Sequence, residues 1–100
     1  MEKETFSRYD TADYLKSEGD IAAYLDAVME EAGDDPAFVA HALGTVARAR
    51  SMTQLAHDTG ISREGLYKAL SGEGNPSFAT VLKVTHALGF KLRFEAVTAT

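Results

Sequence analysis

The chain has 100 residues, 45% of them apolar, and a formal net charge of −5, which fits one compact domain rather than two. It contains no cysteine, which excludes disulfide bonds and thiolate metal sites. No apolar run is long enough to span a bilayer, and residues 1–5 lack the basic-then-apolar order of a secretion signal. We therefore expect a cytoplasmic protein that does not bind a membrane.

The net charge hides an asymmetry between two parts of the chain. Residues 1–35 carry 3 basic and 11 acidic side chains, a balance of −8, whereas residues 36–100 carry 7 basic and 4 acidic side chains, a balance of +3. Such a division is typical of a protein with one basic and one acidic partner. The alternative for residues 1–35 is a solvated acidic face without a partner.

Two helices are predicted in the first half of the chain. Asp20 is expected to cap the first helix and Gly33 to end it. Asp35 is expected to cap the second helix, with Pro36 in the first helical position and Arg48 in the last turn, where a basic side chain suits the helix dipole. The residues expected to face the core are Ile21, Tyr24, Leu25, Val28, Met29 and Ala32 in the first helix and Phe38, Val39, Ala42, Leu43, Val46 and Ala47 in the second.

Three shorter helices are predicted in the second half. Gln54 lies three residues after a serine cap and completes a capping-box pattern at the start of the third helix. The predicted caps are Ser51, Ser62 and Ser77, and the glycines that end the third and fifth helices are Gly60 and Gly89. The inward-facing residues are Leu66 and Leu70 in the fourth helix and Phe78, Val81, Leu82, Thr85 and Leu88 in the fifth.

The C-terminal segment changes from helical to strand periodicity, because apolar and polar residues alternate from Phe90 to Val97. An isolated strand leaves its backbone groups unpaired, and an exposed apolar edge invites another chain. We therefore predict a homodimer in which this strand pairs with its copy across a two-fold axis and buries Phe90, Leu92 and Phe94. Pairing with the weak Thr5–Tyr9 segment of the same chain is the alternative.

The third and fourth helices are joined by Thr59-Gly60-Ile61, a tight corner that indicates a helix-turn-helix. In that motif the second helix enters the DNA major groove. Gly65, which costs about 1 kcal/mol relative to alanine inside a helix, predicts a close approach of the DNA backbone or of the preceding helix. A short helix pair also occurs in proteins that bind no DNA.

The side chains on the outer side of the fourth helix suit base and phosphate recognition. Arginine can bond a guanine edge, glutamate can accept from the cytosine amino group, and lysine or tyrosine can reach bases or phosphates. A serine at the helix start can hold a phosphate oxygen. The predicted DNA-binding residues are Ser62, Arg63, Glu64, Tyr67 and Lys68.

Several short strings in the chain match known families. The strings Leu55-Ala56, Gly60-Ile61-Ser62-Arg63, Asn75-Pro76-Ser77 and Ala87-Leu88-Gly89 make residues 51–89 resemble the lambda-repressor-like helix-turn-helix domains of the Xre type. Nearly the whole chain is similar to the addiction-module antidote family, relatives of HigA antitoxins. This similarity rests on the longer string from Gly60 to Pro76 together with the upstream segments Asp20–Leu25 and Ala47–Arg50. Met52 stands where many Xre-type domains have a phosphate-contacting glutamine, so that contact is not carried over.

This resemblance implies a function in two parts. Such antitoxins bind a small basic RelE/HigB-like ribonuclease toxin and repress their own operon. Residues 1–35 would then form an acidic N-terminal helical extension that contacts the toxin, with Phe6, Tyr9 and Tyr14 as aromatic anchors. Residues 36–100 would form the helix-turn-helix domain and C-terminal strand, within one all-α domain of about five helices. A symmetric dimer would place two recognition helices roughly 34 Å apart on a palindromic operator.

The alternative classes of function are an enzyme, a pure interaction protein and a stand-alone repressor. His41, His57 and His86 are far apart and lack metal-ligand spacing, so we expect no metal site, no cofactor, no catalytic residues and no enzyme activity. A pure interaction protein would neutralise its partner without touching DNA. A stand-alone Xre-type repressor would share the DNA chemistry and have no toxin partner.

Overall fold

The computed structural model describes residues 11–97, which are all-helical, with five α-helices and no strand. A short 3-10 helix, Thr11–Tyr14, precedes α1 (Glu18–Ala32) and α2 (Pro36–Arg50). Three shorter helices follow: α3 (Met52–Thr59), α4 (Arg63–Ala69) and α5 (Phe78–Ala87). The predicted all-α class and the number of helices are confirmed. None of the described helices is both long and apolar enough to cross a membrane.

The start of α1 differs from the prediction that Asp20 is its cap. Ser17 is the cap, and its Oγ accepts a hydrogen bond from the Asp20 amide at 3.1 Å. The Asp20 carboxylate in turn accepts from the amides of Ser17 and Lys16. In a reciprocal capping box the acidic residue lies three positions after the cap. The sequence prediction therefore identified Asp20 as part of the capping structure but assigned it the cap position, which Ser17 occupies.

Helix α2 is the centre of the fold and contacts every other described helix. As predicted, Asp35 caps it by accepting from the amides of Ala37 and Phe38, and Pro36 begins it. Residues 42–47 are all buried, so α2 lacks a solvent-facing side over its middle turns. A helix surrounded in this way must use small residues where neighbours approach its backbone.

One apolar core joins the N-terminal and C-terminal parts of the described chain. Its buried members are Leu15, Ile21, Leu43, Val46, Ala47, Met52, Leu55, Leu66, Leu70, Val84 and Leu88. Leu15 and Ile21 come from the acidic segment, and the other residues come from α2 onward. The charge boundary at residue 35 is therefore not a boundary in the core.

Three residues predicted to face the core are substantially exposed. Phe78 is 65% exposed, because it occupies the first turn of α5, while Val84 is fully buried in the same helix. Met29 and Phe38 are about half exposed. Helical spacing identifies the apolar side of a helix, but neighbouring elements cover only part of its length.

The predicted strand over Phe90–Val97 does not form in the described single chain. A strand needs a second backbone for its hydrogen bonds, and no strand lies among residues 11–97 to provide one. Gly89, with φ +92°, ends α5 as expected. The amide of Phe90 donates to the Thr85 carbonyl at 3.1 Å, and its ring packs on the core. Residues 91–97 are exposed.

Candidate nucleic-acid interface

Helix α3 begins at a serine cap, as predicted. The Oγ of Ser51 accepts from the Gln54 amide at 3.1 Å, which satisfies one of the free donors of the first turn. The Gln54 side chain does not complete the predicted capping box and instead donates to Asp58 Oδ1 at 2.9 Å. Met52 and Leu55 are buried, and Met52 belongs to the core. Methionine rather than glutamine at position 52 therefore suits a side chain that packs in the core.

The corner between α3 and α4 is held by Gly60 and by a threonine that the sequence prediction did not single out. Gly60 has φ +77°, and its amide donates to the Ala56 carbonyl at 2.9 Å. The Thr59 hydroxyl donates to the Leu55 carbonyl at 2.8 Å and accepts from the Ile61 amide at 3.2 Å. Because the hydroxyl satisfies a backbone group on each side of the turn, Thr59 defines the path of the chain into α4.

Helix α4 is oriented by its cap and by two buried leucines. Ser62 Oγ accepts from the Gly65 amide at 2.9 Å. Leu66 is fully buried and Leu70 is 4% exposed, as predicted. A helix of 7 residues is marginal by itself, so these contacts determine which side of α4 faces outward.

The outward side of α4 consists of the polar residues that the sequence prediction selected. Arg63, Glu64, Tyr67 and Lys68 are all exposed. The Arg63 guanidinium carbon lies 5.9 Å from the centre of the Tyr67 ring, a cation–π contact one helical turn apart. Together these side chains present cationic donors, an aromatic hydroxyl and one carboxylate on a single surface.

The crowding at Gly65 comes from the turn that begins its own helix. A Cβ atom at this position would lie 3.1 Å from Ser62 Oγ and 3.2 Å from Ile61 Cγ2. The sequence predicted close approach by DNA or by the preceding helix. The observed neighbours are the capping serine and the last residue of the corner, so a larger residue would disturb the cap.

A small groove of about 200 Å³ adjoins the outward side of α4. His41 and Arg48 of α2 line it together with Tyr67 and Ser71. The sequence prediction gave neither Arg48 nor His41 a role in this surface. Helical spacing does predict that these two residues share a side of α2, but only the packing of α2 against α4 brings that side next to Tyr67.

The other predicted site residues are distributed elsewhere. Tyr14 is 58% exposed at the end of the 3-10 helix, whereas Phe6 and Tyr9 lie outside the described residues. Among the predicted dimer residues, Phe90 packs on the core, while Leu92 and Phe94 are exposed, Phe94 almost completely. Within residues 11–97, no group of three histidine or acidic side chains is placed to hold a metal ion.

Comparison with known protein families shows which family the chain belongs to. The family described as probable addiction module antidote proteins matches residues 5–96. The chain belongs to this antidote family. An uncharacterized protein of Haemophilus influenzae strain Rd is 50% identical over 92 residues, which cover 92% of this antidote-family chain and 93% of the relative. No solved structure matches the chain at a significant level. Membership of the antidote family implies a toxin as partner.

Proposed function

We propose that the chain is the antitoxin of a type II toxin–antitoxin module, which neutralises a RelE/HigB-like ribonuclease toxin and represses its own operon. Membership of the antidote family supports the first activity. The observation that supports the second activity, DNA binding, is the outward surface of α4. Its exposed residues are Arg63, Glu64, Tyr67 and Lys68, and they lie above two buried leucines. Both activities are binding, so the proposal includes no catalysis and no cofactor.

In the proposed complex, α3 and α4 act as a helix-turn-helix and α4 lies in the major groove of operator DNA. Arg63 bonds a guanine edge and Glu64 accepts from a cytosine amino group. Tyr67 and Lys68 contact bases or phosphates, and the hydroxyl of Ser62 donates to a phosphate while it accepts from Gly65. Arg48 and His41, which line the adjoining groove, extend the same surface toward the DNA backbone.

The proposal also includes a homodimer. Leu92 and Phe94 are exposed in the single chain. Pairing of residues 90–97 with their copy would bury both and form a strand, which none of residues 11–97 forms in one chain. Two α4 helices would then lie about one DNA turn apart, roughly 34 Å, on a palindromic operator. The acidic segment up to residue 35, with Tyr14 exposed, would contact the toxin, together with Phe6 and Tyr9.

DNA binding is tested with purified protein and a duplex that carries the region upstream of the chain's own gene. Arg63→Ala should weaken binding by about 1–3 kcal/mol and relax base preference at one position. Lys16→Ala removes one positive charge outside the motif and is the matched control, with unchanged affinity expected. If Arg63→Ala binds the duplex as tightly as the wild type does, α4 is not the recognition helix.

Toxin neutralisation is tested by co-expression with the protein encoded by the adjacent gene. The double variant Arg63→Ala/Lys68→Ala should lose operator binding and still rescue growth. A chain that represses through its operator but rescues no cells would be a stand-alone repressor. A wild-type chain that rescues cells but binds no upstream duplex would be a pure interaction protein.

A further inference from the structure

An apolar groove lies on a different part of the molecule, between the end of α1, the first half of α2 and the loop that leads into α5. Its volume is about 410 Å³, and its lining includes Met29, Pro36, Val39, Leu43, Pro76 and Val81. Met29 is 53% exposed on its wall. A flexible thioether beside an open apolar surface adapts readily to an inserted side chain, and methionine is common on adaptable binding surfaces.

The side of this groove formed by the end of α1 and the start of α2 is acidic. Residues 26–35, which end α1 and lead into α2, carry five carboxylates and no basic side chain. All five carboxylate residues are exposed, and Asp34 lines the groove itself. A partner segment with lysine or arginine beside its apolar side chain would meet complementary charge, which speeds encounter and disfavours acidic partners.

We propose that this acidic groove is where the toxin docks, through a segment in which an apolar side chain is flanked by lysine or arginine. The apolar side chain enters between Met29 and Val39, and the basic side chains pair with the carboxylates of residues 26–35. The inference rests on the proposed antitoxin function and adds a toxin-binding surface to it.

The acidic groove and the candidate DNA surface use different sides of α2. Val39 and Leu43 line the acidic groove, whereas His41 and Arg48 line the small groove beside α4. At 3.6 residues per turn these two pairs project from different sides of the helix. A substitution in the acidic groove should therefore leave DNA binding unchanged, which separates the two activities experimentally.

The first experiment measures the affinity of the purified antitoxin for the purified protein encoded by the adjacent gene. Met29→Arg places a bulky cation on the groove wall and should weaken toxin binding at least tenfold. Phe78→Arg makes a comparable change at an exposed residue outside the groove and should change the affinity less than twofold. Equal effects of the two variants, with unchanged thermal unfolding and DNA affinity, would overturn the proposed groove.

The second experiment identifies the occupant directly. Because the chain has no cysteine, a single Met29→Cys substitution can carry a maleimide-linked benzophenone, with Thr53→Cys on α3 as the exposed control. A cross-link from position 29 to the toxin, absent from position 53, is the expected result.

Other products of this experiment would overturn the inference in distinguishable ways. A product of twice the chain mass would show that a second copy occupies the groove, with Leu92 and Phe94, beside Lys91 and Arg93, as the candidate segment. Intact toxin binding without a cross-link at position 29 would place the toxin elsewhere. A wild-type chain that binds no toxin would overturn the antitoxin function together with the groove.

Discussion

Gly44 of α2 lies directly against the backbone of Leu70 at the end of α4. A methyl group on Gly44 would be 2.6 Å from the Leu70 carbonyl oxygen and 3.2 Å from its Cβ atom. The two helices therefore meet without an intervening side chain, and this contact sets how far the outward side of α4 stands from α2. The candidate DNA surface depends on this approach.

Gly44→Ala should reduce the free energy of unfolding by about 1–3 kcal/mol, because the added methyl overpacks a contact with a backbone atom that cannot rotate away. Urea unfolding followed by circular dichroism measures the change. Gly19→Ala in α1 is the matched control, since its Cβ would be 3.7 Å from the nearest heavy atom. The control should be neutral or stabilising by up to about 1 kcal/mol; a stabilised Gly44→Ala would contradict the packing described above.

The two serine caps of α4 and α5 allow folding and DNA binding to be separated. Ser62→Ala and Ser77→Ala each remove a side-chain acceptor from a first-turn amide and should each cost about 1 kcal/mol of stability. Only Ser62→Ala should also weaken operator binding, measured below the unfolding transition. Equal DNA affinities of the two variants would mean that the start of α4 lies away from the DNA.

Lys68 should contribute to DNA affinity mainly through charge. Lys68→Ala is expected to weaken binding to specific and unrelated duplexes alike, and to reduce the slope of log K against log salt by about 1. Arg63→Ala should act more strongly on the specific duplex. Titrations at several salt concentrations measure both effects; a Lys68→Ala loss confined to the specific duplex would instead assign Lys68 to base recognition.

Tyr14 should contribute to toxin binding more than to folding, because it is 58% exposed. Deletion of residues 1–19 would also remove Leu15 from the core and the Ser17 cap of α1, so a point substitution is the sharper experiment. Tyr14→Ala should weaken toxin binding by more than about 1 kcal/mol, as expected for an aromatic anchor. Tyr67→Ala, an exposed tyrosine on α4, should affect DNA binding only; the same toxin affinity in both variants would move the contact elsewhere.

The tail should determine the oligomeric state. Sedimentation at micromolar concentration is expected to show a dimer for the wild type and a monomer after deletion of residues 91–100, a deletion that retains Phe90 in the core. The substitutions Leu92→Ser and Phe94→Ser together should have the same effect, whereas Glu95→Ala should leave the dimer intact. A wild-type monomer, or a dimer that survives the deletion, would refute the proposed interface.

Four of the five predicted helix caps are observed, and each of these depends on local chemistry. Asp35, Ser51, Ser62 and Ser77 each accept from amides two or three residues away, and Gly60 adopts a left-handed conformation that its lack of a side chain permits. The outward position of the polar residues of α4 follows in the same way from its own periodicity. These interactions need no distant partner, so residue type and spacing are sufficient to predict them.

Only the tertiary structure decides how elements that are distant in the chain pack against one another. The backbone contact of Gly44 with Leu70 and the groove shared by Arg48 and Tyr67 depend on how α2 packs against α4. The exposure of Phe78 depends on how much of α5 its neighbours cover. The absence of a strand over residues 90–97 is also a tertiary effect, because strand hydrogen bonds require a second backbone. Periodicity specifies which side of a helix is apolar. Long-range packing determines which other element covers that side and how much of it becomes buried.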